Sequence, residues 1–200
     1  MKLRRFLTAA VVGVALPTLT LIPAPAAATP VPNTPVPDAK ALDVTAPATT
    51  AGPFWWASGA VSESNRMVID VEGPSTANYA KVHLWDWYGG ASQYWYLDSV
   101  TGQSSNTRLL RNKYSGKCMV VQGTGVTNGT PINQMSCDYG DRRQMWRQEF
   151  RFSGDDKSYY RFVNIATGKC LDNTAGGTAL GNKIQIWSCS SGTNYNQLWY

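Results

Sequence analysis

The sequence predicts an all-β domain assembled from three copies of one unit. Three observations predict it. Between residues 54 and 200 the chain shows short apolar or alternating runs (66–71, 82–87, 118–121, 160–163 and 183–187) and little helical periodicity. Turn-forming pairs such as Ser115-Gly116, Asn128-Gly129, Thr167-Gly168 and Gly176-Gly177 punctuate these runs, the pattern of a barrel or sandwich of many short strands. Finally, Gln93-Tyr94-Trp95, Gln144-Met145-Trp146 and Gln197-Leu198-Trp199 are three Gln-x-Trp triplets that begin 51 and 53 residues apart, which makes the chain a repeat.

The first 53 residues stand apart from this domain. Lys2, Arg4 and Arg5 precede a mostly apolar run from Phe6 to Ile22, and Ala26-Ala27-Ala28 offers small residues for cleavage. Residues 1–28 therefore read as a secretory signal peptide rather than a membrane anchor, since the unbroken apolar stretch is short and no second one follows. Residues 29–53 are rich in Thr, Pro and Ala and read as an extended linker. The domain is then expected over 54–200, with all eight tryptophans and all ten tyrosines, in repeats of about 54–104, 105–156 and 157–200.

Export makes disulfides the expected fate of the four cysteines. Cys118 and Cys170 are 52 residues apart, as are Cys137 and Cys189, so the repeat pairs Cys118 with Cys137 and Cys170 with Cys189. Each bridge closes a loop of a size expected to stabilise by about 3 kcal/mol in the chain-entropy picture. The first repeat has Val68 and Trp87 at the two cysteine places, an apolar pair able to pack where the others crosslink. A Trp present in every copy is expected to form core near the pseudo-threefold axis, and the Gln of each triplet to satisfy backbone groups.

Threefold Gln-x-Trp, with Gly168-Lys169-Cys170-Leu171-Asp172 and Ile186-Trp187-Ser188-Cys189 in the last repeat, resembles the ricin B-chain-type β-trefoil lectins, also called family 13 carbohydrate-binding modules. The resemblance covers about residues 54–200 and implies a β-trefoil of three lobes. It also implies shallow pockets for galactose-containing or xylan-type glycans, each built from an Asp, a Gln, an aromatic two residues later and an Asn-Gln pair. The third repeat carries the full set in Asp172, Gln185, Trp187, Asn196 and Gln197. The chemistry suits a pyranose: a carboxylate accepts from two hydroxyls, and an aromatic plane takes the apolar C–H face. In 184–187, alternation puts two isoleucines on one face and Gln185 with Trp187 on the other. The first repeat keeps Asp70, Trp85 and Gln93, but His83 stands at the Gln place and Ser92 at the Asn place, so binding there is expected to be weaker or different. The second repeat, with Val120, Met135 and Arg143 at the Asp, aromatic and Asn places, is expected to be silent.

Other functions are disfavoured. Three of the 18 basic residues and none of the 13 acidic ones lie in 1–28, so the rest carries a net charge of only +2, with no dense basic cluster for nucleic acid. Glycoside hydrolysis needs two flanking carboxyl groups, and Asp86, the partner available to Asp70, alternates away from Trp85 and Trp87. His83 is the sole histidine and reads as a neutral wall residue, not a base. The reading is a secreted, non-enzymatic lectin needing no metal or cofactor, its partners glycans and not a membrane once the signal is removed. A protein-binding trefoil such as a protease inhibitor is the alternative.

Overall fold

The computed structural model describes residues 47–200; the expected signal peptide and most of the expected linker lie outside the described residues. Eleven strands follow in order: β1 (Thr50–Phe54), β2 (Met67–Val71), β3 (Val82–Asp86), β4 (Trp95–Ser99), β5 (Thr107–Asn112), β6 (Cys118–Val121), β7 (Ile132–Met135), β8 (Met145–Gly154), β9 (Lys157–Asn164), β10 (Cys170–Asn173) and β11 (Ile184–Trp187). Three short antiparallel hairpins, β2–β3, β6–β7 and β10–β11, carry the repeat in identical register: Asp70 faces His83, Val120 faces Asn133, and Asp172 faces Gln185.

The remaining strands form a barrel. β1, β4, β5, β8 and β9 pair antiparallel in that order. The ring closes through the chain's last residues: Tyr160 and Trp199 exchange backbone bonds at 2.8 and 2.9 Å, and Ala57 and Tyr200 do so at 2.9 and 3.1 Å. A closed ring leaves no unpaired edge. The hairpins cap one end and meet one another through bridges between Lys81 and Asn133, Pro131 and Gln185, and His83 and Lys183. This is a β-trefoil.

The first strand corrects the expected domain boundary. Thr50, Ala51, Gly52 and Pro53, read from composition as linker, belong to β1. The Thr49 N–H donates to Ser99 Oγ at 2.7 Å, and Thr50 Oγ1 donates to Asp98 Oδ1 at 2.7 Å. Every residue of β1 is exposed, so no apolar pattern marks it, and the backbone ladder accepts any residue with a free N–H. Pro53, which has none, falls where the register shifts between Ala51 and Phe54.

The triplet tryptophans fill the centre. Trp95, Trp146 and Trp199 are fully buried in one cluster with Ile69, Met119 and Leu171. Each indole N–H donates to the backbone carbonyl of that same trio: Trp95 to Ile69 at 3.1 Å, Trp146 to Met119 at 3.3 Å and Trp199 to Leu171 at 3.3 Å. A bulky ring thus enters the core with its polar atom satisfied in all three lobes. The bridges join Cys118 to Cys137 and Cys170 to Cys189, with Cα separations of 4.9 and 5.1 Å. In the first lobe Val68 is buried, and the Trp87 ring packs 5.0 Å from Trp55 and 5.3 Å from Tyr94. Between lobes, buried Asp98 accepts from Arg111 Nε at 2.6 Å and from the Tyr139 hydroxyl at 2.8 Å. Burial works to raise the Asp98 carboxyl, but its hydrogen bonds from Arg111, Thr50 and Tyr139 outweigh it and hold the pKa low. Burial and that same carboxylate push the Tyr139 hydroxyl up to about 12.

Candidate functional site

The Gln of each triplet sits at the end of a short turn and ties it to the preceding hairpin. In every lobe its amide spans two backbone groups. Gln93 accepts from the Tyr88 N–H at 3.0 Å and donates to the Asp86 carbonyl at 2.7 Å. Gln144 accepts from Asp138 N–H at 3.0 Å and donates to Ser136 at 3.1 Å. Gln197 accepts from Ser190 N–H at 3.0 Å and donates to Ser188 at 3.0 Å. The expected structural role is therefore met in all three copies. Two copies add a second contact: Gln197 Nε2 also donates to Asp172 Oδ2 at 3.2 Å, and Gln93 Nε2 to Asp70 Oδ2 at 3.3 Å.

In the third lobe the hairpin register sets Gln185 beside Asp172, and Gln185 Nε2 donates to Asp172 Oδ1 at 2.9 Å. Both carboxyl oxygens are thus held by amides. Asp172 is 4% exposed, and burial raises its pKa against the lowering effect of Gln185 and Gln197. Two strand positions on, Trp187 is 43% exposed while Ile184 and Ile186 are fully buried, so its ring is a surface and not a core group. Asn196 lies on the turn Tyr195–Gln197, capped by Asn194, whose side chain accepts from the Asn196 N–H at 3.1 Å. Asp172, Gln185, Trp187 and Asn196 line one cavity of about 320 Å³ together with Thr174, Ala175 and Asn194. Gln197 holds the carboxylate from behind and does not line it.

Thr174, Ala175 and Asn194 are absent from the sequence reading. Thr174 Oγ1 is buried without a hydrogen-bond partner among the described residues, and Ala175 holds a left-handed backbone at φ 54°. Gly176 follows at φ 63°, where a Cβ would come within 2.6 Å of Asn196 Oδ1. The adjacent Gly176-Gly177 pair signals a turn in the sequence, but only the fold shows that it leans on the cavity.

The second lobe contributes to this site from outside. Asn128 Oδ1 accepts from the Ser188 N–H at 2.9 Å and Oγ at 3.1 Å, and the Gly129 N–H donates to the Ile186 carbonyl at 2.9 Å. A Cβ on Gly129 would sit 4.0 Å from the Trp187 ring, at a backbone φ of 89° that favours glycine. The lobe's own site is differently filled. Val120 is buried at the Asp place, and Arg143 makes a paired contact with Asp141, Nη2 to Oδ2 at 2.7 Å, at the Asn place.

The first lobe brings together Asp70, His83 and Trp85 in a cavity of about 370 Å³, with Glu72, Gly73, Pro74, Tyr88 and Gly181 completing the lining. His83 is 7% exposed, and its ring stacks on Trp85 at 5.3 Å and 16°. Burial lowers its pKa against the opposing pull of Asp70 and Glu72. Tyr88 went unnoticed in the sequence; its hydroxyl lies 2.7 Å from Ser92 Oγ, the group in the Asn196 place.

The sequence model of the ricin-type beta-trefoil lectin domain-like family matches residues 59–135 and 137–200. The chain belongs to this family. Among solved structures, the ricin-type chain resembles the designed threefold symmetric protein ThreeFoil at 28% identity and a TM-score of 0.59, over 72% of this chain and 93% of that one. It resembles 1,3Gal43A, an exo-β-1,3-galactanase from Clostridium thermocellum, at 28% identity and a TM-score of 0.60, over 74% of this chain but only 29% of the galactanase. The fold is also that of the Macrolepiota procera ricin B-like lectin, solved in complex with lactose, at 20% identity and a TM-score of 0.56, over 76% and 92% of the two chains. No curated protein matches the sequence. Among the described residues, no helix is long and apolar enough to cross a membrane.

Proposed function

We propose that this protein is a secreted, non-enzymatic lectin that holds galactose-containing or xylan-type glycans in the pockets of its third and first lobes. The observation that carries the reading is the third-lobe arrangement. A buried carboxylate is fixed through both oxygens by Gln185 and Gln197, beside a Trp187 ring left 43% exposed. Burying a charge is costly unless something is gained, and an aromatic face left in water beside it suits a pyranose. Asp172 accepts from sugar hydroxyls, Trp187 stacks on the C–H face, and Asn196 bonds a further hydroxyl. Gln185 and Gln197 hold the acceptor in place. Asp70, Trp85, His83 and Gln93 do the corresponding work in the first lobe. The second lobe, without carboxylate at the Asp place, buttresses the third.

The galactoside of the Macrolepiota procera complex and the galactan acted on by the Clostridium thermocellum enzyme support a galactose-containing ligand. Two pockets on one rigid body raise apparent affinity for a polymer by roughly 10²- to 10⁴-fold when both engage. Two disulfides suit an oxidising, extracellular setting. The test is a glycan-array screen of residues 29–200 beside Asp172→Ala, with xylan and galactosides as competitors. Binding that the substitution removes, with the circular dichroism spectrum kept, supports the reading. No binding from a folded, oxidised sample overturns it.

A further inference from the structure

The first-lobe pocket differs from the third in three ways that concern charge. The first is its carboxylate. Asp70 is 3% exposed and receives Gln93 Nε2 on Oδ2, but Oδ1 is buried with no hydrogen-bond partner among the described residues. In the third lobe Gln185 fills the corresponding need of Asp172 at 2.9 Å; His83 faces Asp70 in the same register without doing so. A buried carboxylate oxygen without a donor is a standing cost that an incoming donor removes.

The second difference is a further acid. Glu72 lines the first-lobe cavity, whereas Thr174 stands at the equivalent place in the third. Among the described residues, no Lys or Arg lines the first-lobe cavity. Lys81 meets Glu72 at 3.6 Å, with side chains 71% and 50% exposed, so water screens that pair. The third difference is a second ring. Trp85 and Tyr88, 36% and 53% exposed, both line the cavity, where the third lobe has Trp187 alone. The Tyr88–Ser92 contact at 2.7 Å fixes that ring. Carboxylates with aromatic faces are the set that holds an organic cation, through charge and through the negative faces of the rings.

We propose that the first-lobe pocket takes a protonated amino sugar, a 2-amino-2-deoxyhexose with a free ammonium, whose N–H groups donate to the Asp70 carboxylate. Glu72 adds attraction, and the Trp85 and Tyr88 rings take the cation and the C–H face. The third lobe, with one carboxylate already held by two amides, keeps neutral sugars. The inference rests on the first lobe being a sugar pocket, as proposed above.

The test uses the oxidised protein carrying Trp187→Ala, so that the third lobe does not report. Trimers of glucosamine and of galactosamine are titrated against their N-acetylated counterparts by calorimetry at low salt and at about pH 5.5, where the sugar amines carry their protons. The expected result is a preference on the order of tenfold for the free amines, the worth of one partly desolvated cation contact. Glu72→Gln is expected to reduce it, and added salt to weaken it. Equal affinity for amine and acetylated trimers overturns the inference and leaves the first lobe a neutral-sugar site. Binding of neither, while the unsubstituted protein still binds neutral glycans, overturns the first-lobe reading as a whole and spares the third. A protein that binds no glycan in either form overturns the lectin reading itself.

Discussion

Asp172→Asn separates what the third-lobe carboxylate does for the fold from what it does for a ligand. The group is 4% exposed, and its pKa is raised because burial outweighs the two amide donors. A carboxyl with a folded pKa above its ordinary 3.8 keeps its proton longer when folded than when unfolded. Its contribution to stability is therefore full below 3.8 and is lost as the pH rises through the raised value. At neutral pH the charge opposes folding. An amide of the same shape has no charge to desolvate. The substituted side chain keeps one oxygen to accept from Gln197, and Gln185 offers its own oxygen to the new N–H by turning its amide, since only its Nε2 is bonded. The melting temperature at pH 7 is expected to rise, and the gain to vanish near pH 3. Binding moves the other way. A hydrogen bond to a charged group is worth about 1.5–3 kcal/mol against about 1 for a neutral one. Two sugar hydroxyls on Asp172 then lose about 2 kcal/mol, roughly a thirtyfold weaker Kd. Calorimetric titration with the glycan found on the array, beside thermal unfolding at both pH values, reads both effects. Wild-type affinity in the Asp172→Asn variant, or a lower melting temperature at pH 7, refutes the reasoning.

Further outcomes follow from the same contacts. Gln144→Ala is expected to cost stability alone and Gln197→Ala both stability and glycan affinity, because of these two Gln197 adds a bond to a carboxylate and Gln144 does not; unfolding curves and titrations on both variants check this. Trp146→Ala should destabilise by about 3–5 kcal/mol by emptying a fully buried site, while Trp187→Ala, half in water, should leave the denaturation midpoint nearly unchanged and remove binding by the third lobe alone. Tyr139, with its hydroxyl pushed up to about 12 by burial and Asp98, contributes stability that is full below pH 10 and is lost as the pH rises toward 12; Tyr139→Phe should flatten that alkaline loss in a pH series of melting temperatures. Replacing Cys118 and Cys137 together by Ala should cost about 3 kcal/mol in denaturant unfolding, with the second bridge and third-lobe binding retained.

Much of the site is legible in the chain because a hairpin translates spacing into proximity. Asp172 and Gln185, 13 residues apart, fall opposite each other, and Trp187 emerges on the same face two residues later. Strand alternation and the repeat are local properties, and they place Asp70, His83 and Trp85 in the same way. What the spacing does not give is the ring from a neighbouring turn, such as Tyr88, or the support that Asn128 lends to Ser188 across 60 residues. Those contacts depend on where three lobes meet.

The sequence by itself determined the three-lobed all-β architecture, the tryptophan core, the cysteine pairs and which hairpins carry a carboxylate and a ring. These follow from the recurrence of residue types at fixed intervals, and every copy must bury the same face. The tertiary structure alone decided that residues 50–53 belong to the barrel, since ladder hydrogen bonds are made by the backbone and leave no mark on composition. It alone also decided that Asp172 has both oxygens held while Asp70 keeps one without a partner among the described residues. Two pockets that share a pattern thus differ in chemistry, because hydrogen bonding is settled by distances of a few tenths of an ångström that no spacing in the chain encodes.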